Sequence, residues 1–233
     1  AWLTPFLSQL HLSNQEKERS KLAFCHLAEA LQSKNMFILS KARCEEVIEA
    51  PWKDGRLVMV CGRTNQMQCK NACENSKITP VPEDVAESLK QKCLVVIEKT
   101  EKAGNANASL EALPDQVREA MKMIAKRQEI LDGLAGVKET INQLGKCPEC
   151  GEPLEFNVFE CEKYDERGYL KDWEKYTKWL GGSRNRKLLL MEIGCGDAYP
   201  NVISKPFEKI AELNQKAKIL KINENIIDCL EKL

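Results

Sequence analysis

The chain has 233 residues, 43% hydrophobic and 30% charged, with 35 basic residues balanced by 35 acidic ones. That length holds one large domain or two small ones, and the balanced charge argues against nucleic acid as the main partner, because phosphate binding needs a cationic surplus. No apolar run reaches the roughly 18 residues of a membrane span, so no membrane partner is expected.

Residues 14–33 predict an amphipathic helix: Phe24, Leu27, Ala28 and Leu31 recur at helical spacing behind Ser13 as a cap. "MFILS" (36–40) has strand length, "RCEEVIEA" (43–50) makes two helical turns before Pro51, and "RLVMV" (56–60) is a second strand. This alternation predicts a parallel sheet with crossover helices. Val85, Leu89, Cys93 and Val96 mark a helix, Val117, Ala120, Met121 and Ile124 a second from Pro114, and Val137, Ile141 and Leu144 a third. The polar "KAGNANAS" (102–109) is expected to be a loop. "PLEFNVF" reads as a strand, and Tyr169, Trp173, Tyr176 and Leu180 as a helical stripe ending at Gly181-Gly182. "KLLLMEI" (187–193) is the clearest strand, followed by a helix from Pro206 to Asn214, a strand "AKILKIN" (217–223) and a short closing helix. Ala1 opens the chain without a signal-peptide pattern, as expected of a processed chain or a piece of a longer one.

Eleven cysteines is a high and odd number. It predicts a reducing, intracellular compartment, the cytoplasm first, with several thiols buried as small apolar groups. Two close pairs stand out: Cys69/Cys73 and Cys147-Pro148-Glu149-Cys150-Gly151. Zinc prefers four thiolates in a tetrahedron, and each tight turn can offer two sulfurs from one side. The pairs therefore predict one structural zinc per chain, on Cys69, Cys73, Cys147 and Cys150. A full thiolate shell stabilises and leaves no position for catalysis. Free buried thiols are the plainer alternative.

"LLLMEIGCGDAYPNVI" (188–203) has the look of a loop that binds S-adenosylmethionine, with small residues letting backbone N–H groups approach a ligand. Only 37 residues follow Gly196, about one βα unit, where a methyltransferase sheet needs most of its fold. A plain strand-to-helix turn is the bland alternative.

The order of these features carries a resemblance. After the first helix come "FILSKARC", "RLVMVCG", a cysteine pair, an insertion, "CPECGEPLEFNV", "MEIGCG" and "KILKINEN". Across roughly residues 20 to 225 this resembles the sirtuin family, most closely the divergent branch found beside macrodomains and linked with protein ADP-ribosylation. The resemblance implies an α/β fold: a Rossmann-like parallel sheet with helices on both faces (1–68 and 151–233) plus a small, mostly helical zinc-bearing lobe (69–150). It implies NAD or ADP-ribose as ligand, with Gly194, Cys195, Gly196, Asn223 and Glu224 as contacts. Asn223 equally reads as a plain strand end.

The chain departs from the family where the chemistry lies. The family's Gly-Ala-Gly phosphate loop has no counterpart before residue 20. Its Thr-x-Asn-x-Asp turn falls on Ser40-Lys41-Ala42-Arg43-Cys44, so Ala42 and Cys44 replace the Asn and Asp. Its catalytic His aligns with Cys61, and a thiol is not an imidazole base near neutral pH. Cys61 reads as a reactive thiol or, more simply, a core cysteine. His11 and His26, the only histidines, sit in no triad motif. The expectation is a catalytically impaired scaffold or interaction protein, a pseudoenzyme with a protein partner or larger assembly. The alternatives are a deacylase or ADP-ribosyltransferase whose phosphate loop lies outside this chain, and a methyltransferase.

Overall fold

The computed structural model describes residues 5–6, 10, 14–42, 45–105, 133, 135–195 and 199–222. In chain order its strands are β1 (Ile38–Ser40), β2 (Leu57–Met59), β3 (Gly62–Cys69), β4 (Thr79–Pro80), β5 (Leu154–Val158), β6 (Leu188–Ile193) and β7 (Ala217–Ile222). Helices span Asn14–Leu31, Glu45–Glu49, Glu83–Asn105, Arg167–Gly182 and Ser204–Leu213, with a further helical segment at 135–142. The fold is mixed α/β, with short parallel and antiparallel sheets. Among the described residues no helix is long and apolar enough to cross a membrane.

The chain divides into two compact units. One comprises Arg19–Gly62 and Glu166–Leu233. In it β1 and β2 pair in parallel, from Ile38 opposite Leu57 to Ser40 opposite Met59. The crossover between them contains the Glu45–Glu49 helix, as the alternation of the first sixty residues predicts. Its return is fixed by Trp52, whose indole Nε1–H donates to the Val47 carbonyl at 2.6 Å and whose ring meets Phe24 edge-on at 6.5 Å. Phe24 belongs to the Asn14–Leu31 helix, where Ala28 is the buried position; its expected cap, Ser13, lies outside the described residues. The second parallel pair is β6 with β7, in register from Leu188–Ala217 to Ile193–Ile222. The Ser204–Leu213 helix between them packs back on both strands. The Arg167–Gly182 helix packs on β2, with its aromatic stripe turned inward. Tyr176 is buried and meets Phe37 at 5.6 Å and Trp173 at 5.1 Å.

The other unit comprises Ala1–Glu18 and Arg63–Asp165. Its sheet runs β4-β3-β5, with β4 antiparallel to β3 through Gln66–Pro80 and Met67–Thr79. The core joins Val85, Leu89 and Cys93 to Val137, Leu144, Phe156, Val158 and Cys161, with Val96 and Ile141 packed against it. The stripes that predict the first and third inserted helices are thus the surfaces those helices bury. The expected loop at 102–109 is corrected in part: the Glu83–Asn105 helix continues through Lys102–Asn105. Nothing before Asn105 removes an N–H group, and Gly104 costs a helix only about 1 kcal/mol. The helix expected from Pro114 and the short closing helix lie outside the described residues.

Candidate functional site

β3 delivers Cys69 at its last residue, fully buried at 1% exposure. The chain then turns tightly: Ala72 adopts φ 49° and its N–H bonds the Cys69 carbonyl at 2.8 Å. This brings Cys73 back beside Cys69, sulfur to sulfur 3.7 Å. The second pair sits on a matching knuckle. Cys147 N–H bonds the Glu152 carbonyl at 2.8 Å and Gly151 N–H bonds the Cys147 carbonyl at 2.9 Å. Gly151 takes φ 73°, a conformation that costs a residue with a Cβ. Backbone bonds hold the two knuckles together: Lys70 N–H reaches the Pro153 carbonyl at 3.2 Å.

Although 73 residues separate Cys73 from Cys147, the four sulfurs all lie within 4.8 Å of one another. Cys69 and Cys150 approach to 3.5 Å. A Zn–S length of about 2.3 Å requires S···S distances of about 3.8 Å in a tetrahedron, so the spacing fits an ion at the centre. All four lie outside any disulfide. Asn71, which the sequence reading did not single out, donates its backbone N–H to Cys69 Sγ at 3.3 Å. That bond stabilises a thiolate and orients it, the part outer-shell groups play around metals. Hydrogen bonding with Cys150, and then with Cys69, favours the protonated form of Cys73 and pushes its thiol up to about 12. Four sulfurs this close shed their protons readily only with a cation among them. The four cysteines can therefore hold a metal ion.

In the parallel-strand unit a second group of residues gathers at the C-terminal ends of β1 and β6. Gly194 N–H bonds the Ile222 carbonyl at 2.8 Å and leaves β6 with φ 58°. Just beyond β1, Lys41 donates its ammonium to the Cys195 carbonyl. The stretch Ser40-Lys41-Ala42 is thereby tied to the stretch Gly194-Cys195. Ser40 is buried, and its hydroxyl bonds the Ala42 carbonyl at 3.3 Å. Ends of parallel strands are where open α/β sheets receive ligands. Burial pushes the Cys195 thiol up, with Lys41 opposing, so it is not a thiolate nucleophile at neutral pH. Cys61 follows β2 and is fully buried at 0% exposure. It lies near Tyr169, whose hydroxyl burial pushes up to about 12. Glu192 in β6 is buried too, accepting from Ser204 Oγ at 3.0 Å with Lys221 Nζ at 3.8 Å. Cys44, Gly196, Asn223, Glu224 and His11 lie outside the described residues; His26 is exposed on the Asn14–Leu31 helix.

One consequence of the Gly194 turn can be measured. A Cβ at Gly194 meets nothing within 4 Å, so Gly194→Ala carries only the conformational cost of positive φ. The expected loss is about 1 kcal/mol in urea unfolding. A loss near zero would mean that the turn relaxes out of the left-handed region.

No family model matches the chain. A stretch of 81 residues, 34% of the chain, is 26% identical to a protein of Staphylococcus aureus named "Protein ADP-ribosyltransferase", of whose length it covers 26%. The match thus spans about a quarter of that relative.

Proposed function

We propose that this chain is a sirtuin-like, zinc-stabilised module of ADP-ribosylation chemistry that binds ADP-ribose or NAD weakly and acts as a scaffold or interaction subunit. The observation that carries the reading is the convergence of Cys69, Cys73, Cys147 and Cys150 within 4.8 Å, in a chain with partial identity to a named ADP-ribosyltransferase. In this reading zinc is the ion, and its four sulfurs leave it a structural role. The nucleotide lies in a Rossmann-like arrangement at the strand ends, against Gly194 and Cys195, with Gly196, Asn223 and Glu224 as further contacts. A buried Cys61 at the position of the family's base supports impaired catalysis, since a thiol shielded from solvent takes no proton from a substrate hydroxyl. The Lys41 bond to Cys195 supports a changed crevice: an ammonium stands in the stretch that takes the place of the family's Asn and Asp.

Thermal shift with NAD, ADP-ribose and S-adenosylmethionine tests the reading, run beside an assay for nicotinamide. ADP-ribose at ten times its dissociation constant is expected to add about 1.4 kcal/mol, with no nicotinamide formed from NAD. Nicotinamide release by this chain would replace the scaffold with an active transferase or deacylase. Stabilisation by S-adenosylmethionine alone would transfer the site to methyl transfer, and no shift with any of the three would remove the nucleotide half of the proposal.

A further inference from the structure

At the opposite, N-terminal end of the β1–β2 pair the same unit carries a cleft of about 370 Å³. Phe37 immediately precedes β1 and Arg56 immediately precedes β2, and Ile38 N–H bonds the Arg56 carbonyl at 2.7 Å. Phe37 and Trp179 form its apolar wall, Arg56, Lys175 and Lys178 its cations, and Asp54 its one carboxylate. The Arg56 guanidinium lies over the Phe37 ring, 4.9 Å from the centroid. Stacking fixes the plane of the fork and leaves its edge N–H groups to a ligand. Trp179 is held in turn by an indole N–H bond to Asn35 Oδ1 at 2.8 Å. Gly55 (φ 64°) has no Cβ, and one built there would stand 3.1 Å from Lys175 Nζ. The glycine thus lets the ammonium rest against the turn.

The cations continue beyond the cleft. Arg167, Lys171, Lys175 and Lys178 recur at spacings of four, four and three along one side of the Arg167–Gly182 helix, opposite its aromatic stripe. All four are exposed, and Lys175 Nζ is already paired with Asp172 Oδ1 at 2.7 Å, which leaves Arg56, Lys171 and Lys178 as the cations offered to a ligand. At a rise of 1.5 Å per residue the four helix positions span about 16 Å. A ligand that meets the whole stripe is extended and negative, and it carries its charges apart, because Asp172 and Glu174 sit among the lysines. Spaced carboxylates satisfy this arrangement better than a continuous phosphate backbone. A nucleic-acid base would also find a face of Phe37 already covered by Arg56.

We infer that this surface docks an acidic peptide segment of a partner protein, laid along the Arg167–Gly182 helix with one carboxylate seated on the Arg56 fork. The site is separate from the proposed nucleotide crevice and stands or falls without it. The test uses the full chain and fluorescence anisotropy with three labelled probes: a peptide alternating glutamate and serine, its glutamine counterpart, and an oligouridine RNA. The acidic peptide is expected to bind, and to weaken with rising salt. The Lys171→Glu/Lys178→Glu double variant should bind it at least about tenfold more weakly with its melting temperature unchanged, since both side chains are exposed. Arg56→Lys keeps the charge and loses the planar fork; it should cost about threefold or more, where a merely diffuse field would leave affinity intact. Equal binding of the glutamine peptide, indifference to the double charge reversal, or tighter binding of the RNA would each overturn the inference.

Discussion

On the proposed zinc occupancy of the four cysteines, Cys147→Ser is expected to lower the stability of the cysteine-bearing unit by more than about 4 kcal/mol and to abolish metal binding, because loss of a metal shell is among the few single-residue events of that size. Cys147 is 2% exposed and holds its knuckle through backbone bonds to Gly151 and Glu152. Serine is smaller, and its oxygen is a poor substitute for thiolate at zinc. The three remaining sulfurs would stay crowded and take up protons instead of a cation. Zinc content by mass spectrometry should fall from about one per chain to near zero, and a strong chelator should bring the native chain to the same melting curve. Cys93→Ala supplies the comparison. Cys93 is also 2% exposed, in the same unit's core, but stands outside the four-sulfur cluster. Its removal should cost only the packing of a small side chain, about 1–2 kcal/mol. Equal losses for the two variants would show that the four sulfurs are ordinary thiols, and native zinc content in Cys147→Ser would place the metal away from this cluster.

What the sequence made legible follows the strength of each local signal. β1, β2 and β6 are apolar runs bounded by polar residues, and each appears within a residue or two of its expected ends. The parallel β1–β2 pairing follows from the alternation of strand and helix. The inserted helices announce themselves through Val85, Leu89 and Cys93, and through Val137 and Leu144, all of which are buried. The cysteine pairs were legible because two thiols per tight turn is a rare pattern with a specific chemistry. β3 was not legible: "GRTNQMQC" offers no apolar alternation, and one of its fully buried side chains is the polar Gln68. Neither was the Lys41–Cys195 bond, which joins residues 154 positions apart, nor the cleft at Arg56. Phe37, Arg56 and Trp179 come from three separate segments, and only the folded chain places them together.

Gln68 is also where the second large effect is expected. Its amide is 0% exposed and connects β3 to β5 and to the segment after it. Gln68 Oε1 accepts from Asn157 Nδ2 at 2.7 Å and from the Asp165 N–H at 2.9 Å, while its Nε2 donates to the Lys163 carbonyl at 2.7 Å. Asn157, likewise 0% exposed, bonds the Asp165 carbonyl at 2.8 Å. Gln68→Ala takes the partner from two buried groups, the Asn157 amide and the Asp165 N–H, each worth about 1–3 kcal/mol when left unmade, and from the part-buried Lys163 carbonyl. The expected loss is about 4 kcal/mol in denaturant unfolding. Gln68→Met separates volume from polarity: methionine refills most of the space and restores no hydrogen bond, so it should still lose about 3 kcal/mol. In a double-mutant cycle with Asn157→Ala the two losses should overlap by more than about 0.5 kcal/mol, because the side chains share a bond. Full recovery in Gln68→Met would assign the effect to the cavity alone, and strict additivity in the cycle would show that Gln68 and Asn157 act independently.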